Sequence, residues 1–215
     1  MQKTCGGIRM RVLADIIKDI SFCHQIEKDA YKLLEYHGYK EIAEHCNRVA
    51  TEAERLANRF NVDSASAKIA GYLHDVGRVF SDKQSINIAS ELEIQVLDEE
   101  HIYAGLLHQK ISRVIASELF GINNSSILNA IECHTTLKAG ASDIDLILFI
   151  ADKLSWDSSD SKPILDGILY GLEQSLEHGA FYYINYLFEN RDNIKVLHPW
   201  TLEAYVDLKE KCAKV

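Results

Sequence analysis

Apolar residues recur along most of the chain at steps of three and four, the spacing of one face of an α-helix. The clearest case lies between residues 40 and 60, where apolar side chains form one stripe and charged residues lie beside it. The stripe consists of Ile42, Cys46, Val49, Ala53, Leu56 and Phe60. The sequence "NVDS" then supplies a turn and a helix cap. We therefore predict a long helix over residues 40–60 and a second helix that ends near His74.

Helical spacing continues to the end of the chain, and only two prolines occur in it. The further predicted helices cover residues 85–93, 100–119, 124–136, 143–155, 163–177, 180–190 and 200–213. The pattern predicts an all-α fold, a single-domain helical bundle. We divide it into an N-terminal extension with the first helix (1–25), a core (26–156) and a C-terminal helical extension packed on the core (157–215).

Composition narrows the classes of function. The chain has 215 residues and a net charge of −9, without any block of basic residues, so binding to nucleic acid is not expected. Its five cysteines are scattered and form no CxxC pair, which argues against a disulfide framework and favours the cytoplasm. No apolar run approaches the roughly 20 residues that span a membrane, so we expect no membrane segment.

Several of the nine histidines fall on apolar helix faces. His45, His74, His108 and His134 each lie three or four residues from apolar neighbours in their predicted helices. A single histidine in such a position is more often a hydrogen-bonded core residue than a metal ligand. Several on separate helices, all facing inward, are better explained by one shared metal centre.

Two carboxylates accompany these histidines. Asp75 directly follows His74, and Asp152 lies inside the apolar segment "LILFIADKL". Burying an ionised carboxylate without a partner costs several kcal/mol, so Asp152 needs a cation nearby. Lys153 is adjacent but projects about 100 degrees away round the helix. We therefore expect the partner of Asp152 to be another side chain or a metal.

The order of these residues resembles the H…HD…D signature of the HD-domain superfamily of metal-dependent phosphohydrolases. The matching residues are His45, His74, Asp75 and Asp152. His108 and His134 resemble the additional ligands of members that hold two metals. Five blocks, among them "EHCNRVATEAERLANRFNVD", "AGYLHDVGR" and "LILFIADKL", resemble the YqeK-type subgroup in order and spacing. The resemblance covers roughly residues 26–156.

The resemblance implies a helical bundle of the HD-domain type that hydrolyses diadenosine tetraphosphate symmetrically to two ADP at a di-iron centre. It assigns His45, His74, Asp75 and Asp152 to one metal, and Asp75, His108 and His134 to the second. Asp75 is then the bridging ligand. A water between two cations would become hydroxide near neutral pH and attack phosphorus, so no serine or cysteine nucleophile is required. The mixed His and carboxylate shell favours iron, or alternatively manganese, over magnesium.

Arg78 follows Asp75 by one turn and completes the predicted catalytic group with Asp75 and His74. Its guanidinium would neutralise a phosphate that is not transferred. Weaker candidates for contacts to the substrate phosphate are Arg48, Lys153 and Thr135. Each cation is equally compatible with an ordinary surface residue, and Thr135 with a helix cap.

The chain departs from the subgroup after Asp152, where it reads "ADKLSWDSSDSKP" in place of the usual Glu-Pro and nearby arginine. This departure bears on which substrate is bound, and it leaves the predicted metal ligands unchanged. The alternatives are a 5'-nucleotidase or other small-phosphoester hydrolase and, from another class, a nucleotide-binding regulatory HD domain without turnover. A purely structural bundle would leave Asp152 without a partner.

Two features have several interpretations. His101 lies seven residues before His108, on a similar face of the predicted helix, and is the leading residue to support the metal ligands. The aromatic segment "VLHPWTLEAY" is compatible with packing on the core, with a lid, or with a contact in a homodimer.

Overall fold

The computed structural model describes residues 5–156 and 162–213 and gives side-chain positions from residue 11 onward. Within these residues the chain forms twelve α-helices, three short 3-10 helices and no β-strand, so the all-α prediction is confirmed. The α-helices are α1 (Cys5–Ile17), α2 (Ile26–Tyr36), α3 (Lys40–Phe60), α4 (Ser64–Leu73), α5 (Asp82–Glu91), α6 (Asp98–Ile102), α7 (His108–Glu118), α8 (Ser125–Cys133), α9 (Asp143–Leu154), α10 (Lys162–Leu172), α11 (Leu176–Glu189) and α12 (Pro199–Cys212). The 3-10 helices are Val76–Val79, Ala104–Leu107 and Arg191–Asn193.

The helices α3 and α4 form a closely packed pair. The α3 helix has the bounds that its apolar stripe predicts and ends at Asn61, which adopts the left-handed conformation with φ 56°. The side chain of Asp63 then caps α4 by accepting hydrogen bonds from two backbone amides. The two helices approach most closely at Gly71, where an added Cβ would lie 2.4 Å from the Cα atom of Ala50.

The α9 helix lies in the centre of the bundle. All of its residues from Ile144 to Lys153 are buried, and it contacts α3, α4, α8 and α11. A helix that is apolar on nearly every side is typical of such a central position. Because α9 is buried on nearly every side, it places Asp152 in the interior of the bundle.

The predicted helix 100–119 is wrong because the chain breaks it at Tyr103. Tyr103 has φ −135° and ψ 85°, outside the helical region, and it lies two residues before Gly105, a weak helix former. The segment becomes α6, a 3-10 helix and α7. His101 is exposed on α6 while His108 is buried at the start of α7, so the expectation that His101 supports the site is also wrong.

The predicted break between residues 177 and 180 is misplaced as well. The hydroxyl of Ser175 accepts a hydrogen bond from the amide of His178 at 3.2 Å, and this cap starts α11 at Leu176. Pro163 lies in the first turn of α10, as predicted. The ends of the other predicted helices from residue 85 onward lie within three residues of the observed ends.

The C-terminal helices pack on the rest of the chain. The α11 helix contacts α9, α10 and α12. The hydroxyl of Thr201, in α12, donates to the backbone carbonyl of Thr136 at 2.9 Å. Part of the predicted boundary near residue 157 lies outside the described residues, so the domain limits stay a prediction. None of the described helices is both long enough and apolar enough to cross a membrane.

Candidate metal centre

The predicted ligand side chains lie together where five helices meet. Three histidines stand at helix ends: His74 directly follows α4, His108 begins α7 and His134 directly follows α8. His45 comes from α3, and Asp152 comes from the last turn of α9. With Asp75, which follows His74, they bring four imidazoles and two carboxylates to one place.

Three of the histidines are oriented by the same local hydrogen bond. In each, Nδ1 donates to the backbone carbonyl of the residue three positions earlier. The pairs are His74 with Gly71 at 2.8 Å, His108 with Gly105 at 2.6 Å, and His134 with Ile131 at 2.8 Å. The bond requires the proton on Nδ1, so a neutral ring directs the lone pair of Nε2 into the site.

The first donor group contains His45, His74 and Asp152, whose ligand atoms all lie within 4.8 Å of one another. Oδ1 of Asp152 lies 2.9 Å from Nε2 of His45 and 3.8 Å from Nε2 of His74. Nε2 of His74 also lies 3.7 Å from Oδ2 of Asp75. These are the four residues that the resemblance assigns to the first metal.

The second donor group consists of Asp75, His108 and His134. Oδ1 of Asp75 is 3.2 Å from Nε2 of His108 and 3.6 Å from Nε2 of His134. The two Nε2 atoms are 3.0 Å apart. The ligand atoms of His74, Asp75 and His134 also lie within 4.8 Å of one another, so the two groups adjoin. Asp75 therefore turns one oxygen towards each group, as a bridging ligand would.

Burial and charge hold these groups in the states that bind metal. Burial lowers the pKa of His74 to about 4 and also lowers the pKa of His134, although Asp75 opposes both shifts. Burial alone would raise the pKa of both carboxyls. Neighbouring histidines hold the pKa of Asp75 well below its usual range, and Lys153 lowers that of Asp152. Near neutral pH the site therefore presents His74 and His134 as neutral imidazoles beside two ionised carboxylates.

Two features indicate that this donor set is built for a cation. Nε2 of His74 is buried and has no hydrogen-bond partner among the described residues. Nε2 of His108 faces Nε2 of His134 at 3.0 Å while both Nδ1 atoms donate to carbonyls, so two lone pairs point at each other. Nitrogen ligands about 2.1 Å from a shared ion are separated by such distances. The residues fit a divalent metal that accepts imidazole and carboxylate.

A comparison with protein families matches residues 42–157 of this chain to the HD domain. The match covers more than half of the chain and contains all six residues of the two donor groups. The chain belongs to the HD domain family. It is a hydrolase of the HD superfamily, which confirms the resemblance seen in the sequence.

A solved structure agrees with this family, and a curated relative is similar over most of the chain. The crystal structure of an HD superfamily hydrolase "involved in NAD metabolism" from Clostridium acetobutylicum matches with a TM-score of 0.74 and 25% identity, over 94% of this chain and 97% of that chain. Because it covers so much of the chain, most of the C-terminal segment is shared with that structure. An uncharacterized Lactococcus lactis protein is 42% identical over 74% of this chain and 80% of its own length.

A curated relative with a named activity matches over a shorter stretch. The "Bis(5'-nucleosyl)-tetraphosphatase, symmetrical" of Staphylococcus aureus is 30% identical over 50% of this chain and 55% of its own length. The chain therefore spans about half of that relative.

Within the HD domain, Lys153 is a partner of Asp152, although its angle round the helix predicted that it would not be. Its Nζ lies 2.6 Å from Oδ2 of Asp152 and donates to the carbonyl of His134 at 3.0 Å. The long side chain bends back to the neighbouring carboxylate, although the two residues diverge round the helix. Lys153 is buried, so it is not an ordinary surface cation. His45 is a further partner of Asp152, as the sequence reasoning required.

Arg78 and Thr135 border the second donor group of the HD domain. Arg78 lies on the 3-10 helix after α4, with Nε 3.4 Å from Oδ1 of Asp75 and a terminal nitrogen 3.4 Å from Nε2 of His108. Its side chain is 35% exposed, so it also faces solvent. The hydroxyl of Thr135 lies 3.1 Å from Nε2 of His108.

The donor groups line a cavity of about 190 Å³ that two aromatic residues complete. Trp156 follows α9, and Tyr183 comes from α11, beyond the matched HD domain. Their rings meet edge to face, with centroids 5.6 Å apart. Sequence reasoning missed both residues. Only the departure at "SW" after α9 hinted at Trp156, and no spacing linked the aromatic run "FYYINYLF" to the metal ligands.

Cys46 and Cys133, which neighbour two of the candidate histidines, belong to neither donor group. Cys46 and Cys133 are buried, and burial raises the pKa of both thiols. A protonated thiol is a weak donor and a poor metal ligand. In this environment both cysteines act as small apolar packing residues.

Proposed function

We propose that this HD domain protein hydrolyses a nucleotide phosphoanhydride, and that its substrate is diadenosine tetraphosphate, cleaved symmetrically to two ADP. The symmetrical tetraphosphatase activity in the names of the Staphylococcus aureus and Bacillus subtilis relatives supports the proposal. So does the name of a Mycoplasma genitalium relative, a probable "nicotinate-nucleotide adenylyltransferase/Ap4A hydrolase", which is 35% identical over 31% of its length.

The observation that carries the proposal is the carboxylate of Asp75, whose two oxygens face the two donor groups, in a cavity that shares wall residues with two further cavities. A cavity of about 460 Å³ adjoins the central one at Trp156 and includes Arg48. Another of about 360 Å³ adjoins it at Thr135 and Tyr183. Diadenosine tetraphosphate has a nucleoside at each end of a phosphate chain, which matches a metal centre flanked by two cavities.

We further propose that the donor groups hold two divalent ions, iron or alternatively manganese. Bound there, such ions supply Lewis acidity at the phosphoryl oxygen and a hydroxide nucleophile near neutral pH. The chain itself fixes the positions of the ligands. Backbone carbonyls orient the buried imidazoles, and Lys153 holds Asp152 by an ion pair at 2.6 Å. This support restricts the rotation of the ligand side chains before substrate arrives.

Arg78 is the best placed residue to contact a phosphate that is not transferred. Its guanidinium borders the second donor group and remains partly open to solvent, so an incoming phosphate can reach it. A charge-assisted hydrogen bond from arginine also restrains the phosphate chain in position. The Thr135 hydroxyl is a second donor on the same side. Arg48 lines a flanking cavity, and its phosphate contact, like that of Lys153, stays a prediction.

The proposal is tested by product analysis in water labelled with ¹⁸O, with iron or manganese supplied. We expect two ADP for each diadenosine tetraphosphate, with one label in one of the two ADP molecules. AMP plus ATP would show asymmetrical cleavage and contradict the proposal. Phosphate release from mononucleotides, with no action on dinucleotides, would support a 5'-nucleotidase. Tight nucleotide binding without any product would support a regulatory HD domain.

Three expectations from the sequence, on nucleic acid, cellular location and a homodimer, stay predictions. The net charge of −9 makes binding of long nucleic acid unfavourable. A cytoplasmic location agrees with the free thiols of the described cysteines. A homodimer contact through the C-terminal segment is to be tested by the molecular mass in solution.

A further inference from the structure

The cavity beside Thr135 is built largely by the C-terminal segment. Its walls include Tyr183 and Leu187 from α11 and the residues from Ile194 to Thr201 that lead into α12. These residues lie beyond the part of the chain that matches the HD domain. Tyr103 and Leu106, from the broken helix before α7, form another part of the wall. The C-terminal segment therefore contributes to the surroundings of the metal centre as well as to packing.

This cavity and the central one share part of their walls. Thr135 and Tyr183 line both. Thr135 is 3.1 Å from Nε2 of His108, so the shared part of the wall lies next to the second donor group. The cavity therefore lies within reach of a group attached to a phosphate at the metal centre.

The lining suits a nucleoside. The volume of about 360 Å³ is at the lower end of the range for small-molecule sites. The lining is mostly apolar and includes two tyrosines, and stacking on aromatic rings is the common way in which proteins hold a base. Nζ of Lys195 lies 4.3 Å from the ring centroid of Tyr103, which places a cation close to this wall.

The wall of this cavity that contains His198 and leads into α12 is held in place by buried polar contacts. Nδ1 of His198 accepts a hydrogen bond from the amide of Trp200 at 3.2 Å and caps α12. Its Nε2 lies 3.5 Å from a carboxylate oxygen of Glu100, which is also paired with Lys110 at 2.8 Å. Nζ of Lys110 lies 5.0 Å from the ring of Trp200. These contacts therefore fix the position of this wall.

We infer that this cavity, lined by Tyr103, Thr135, Tyr183, Leu187, Val196 and Leu197, binds one nucleoside of the substrate, with Tyr183 as a positioning residue between base and phosphates. The inference rests on the proposed function and adds a role for the C-terminal segment. The ring of Tyr183 is supported from behind by Phe149, with centroids 5.7 Å apart. A supported ring keeps its orientation when a base stacks on it.

The test blocks the cavity without touching the metal ligands. Leu187→Trp adds a large side chain within the cavity, and Leu202→Trp on the exposed face of α12 is the matched control. Binding of ADP and of inorganic pyrophosphate to metal-loaded protein is measured by calorimetry. We expect Leu187→Trp to weaken ADP binding about tenfold or more, the size of one lost stacking contact, while pyrophosphate binding changes less than twofold.

A second variant guards against a folding defect. Tyr183→Leu removes the ring but keeps an apolar side chain, and Tyr170→Leu on the exposed face of α10 is its control. Circular dichroism and metal content must match the wild type. We expect Tyr183→Leu to raise KM for diadenosine tetraphosphate about tenfold, with a smaller change in kcat.

Several outcomes would overturn the inference. Unchanged ADP affinity in both variants would show that no nucleoside occupies the cavity. An equal loss for ADP and pyrophosphate would show that the variants disturb the metal centre instead. Failure of wild-type protein to bind ADP would also overturn the inference, because the cavity would then hold no nucleoside. If wild-type protein binds ADP in this manner but cleaves no dinucleotide, the proposed function fails while the nucleoside site stands.

Discussion

Replacing Gly71 by alanine should disturb the metal centre more than it disturbs the fold. Gly71 faces α3 where the two helices are closest, and an added Cβ would lie 2.4 Å from Cα and 2.7 Å from N of Ala50. Both atoms belong to the backbone, so no side-chain rotation relieves the contact. Ordinary van der Waals contact begins at 3.4 Å, so α3 and α4 must separate locally by 3.4 − 2.4, or about 1 Å.

The cost to stability follows from two opposing terms. Overpacking of this kind costs about 1–3 kcal/mol, and the immovable backbone favours the upper end of that range. Alanine is a better helix former than glycine by about 1 kcal/mol, which offsets part of the cost. The net loss is therefore about 2 kcal/mol, which corresponds to a fall in Tm of about 4–8 °C for a chain of this size.

The metal centre is more sensitive because its ligands come from both helices. Gly71 supplies the carbonyl that orients His74, and His45 lies on α3 five residues before Ala50. Metal sites tolerate deviations of only about 0.2 Å in ligand distance. A separation of about 1 Å between α3 and α4 should therefore remove most of the metal bound by His45 and His74.

The assay combines thermal unfolding by circular dichroism with metal analysis of protein purified without chelator. Ala65→Gly is the control, because it lies on the exposed side of α4 and lowers helix stability by up to about 1 kcal/mol without touching α3. It should keep its metal. If Gly71→Ala retained both the wild-type Tm and the full metal content, the argument from close helix packing would be refuted.

Three further predictions concern the ligands and one buried acid. His74→Ala or Asp75→Ala should abolish hydrolysis and reduce bound metal while helical content is kept; near-normal turnover in either variant would remove that residue from the ligand set. Replacing His108 or His134 should lower the metal content from about two per chain towards one, and a wild-type content of one or less with iron or manganese supplied would indicate a mononuclear centre. Glu100→Gln should destabilise the fold by about 3 kcal/mol near pH 7, because it leaves a buried lysine unpaired. Burial raises the pKa of Glu100, but hydrogen bonds to basic side chains and a backbone amide lower it by more. The net pKa therefore lies below its ordinary value of 4.5. The gap between wild type and Glu100→Gln should therefore be complete above pH 4.5 and shrink as the pH falls through the lowered pKa, whereas a gap that stays constant from pH 7 to pH 3 in urea titrations would contradict this origin.

Much of the fold was predictable where the apolar period is strong. The helix over residues 40–60 has the observed bounds of α3, and the helix that carries Asp152 begins at residue 143 as predicted. Both contain apolar residues in nearly every turn. The prediction failed at Tyr103 because the apolar pattern continues through a place where the backbone leaves the helical region.

The local sequence also determined the orientation of individual candidate ligands. His74, His108 and His134 each bond to a carbonyl three residues earlier, a contact that depends only on the helix end at which the histidine stands. The identity of all six candidate ligands was accessible for a similar reason, because histidines and carboxylates on apolar faces must point inward.

Only the tertiary structure decided which of these groups meet and what else surrounds them. His45 and Asp152 are 107 residues apart, and the distance of 2.9 Å between them depends on how α3 packs against α9. Lys153 reaches Asp152 because its flexible chain bends, which helical angles alone do not reveal. Tyr183 reaches the same cavity from α11 because that helix folds back onto α9. No periodicity encodes such contacts, since they result from the packing of several helices at once and not from the order of residues within any one of them.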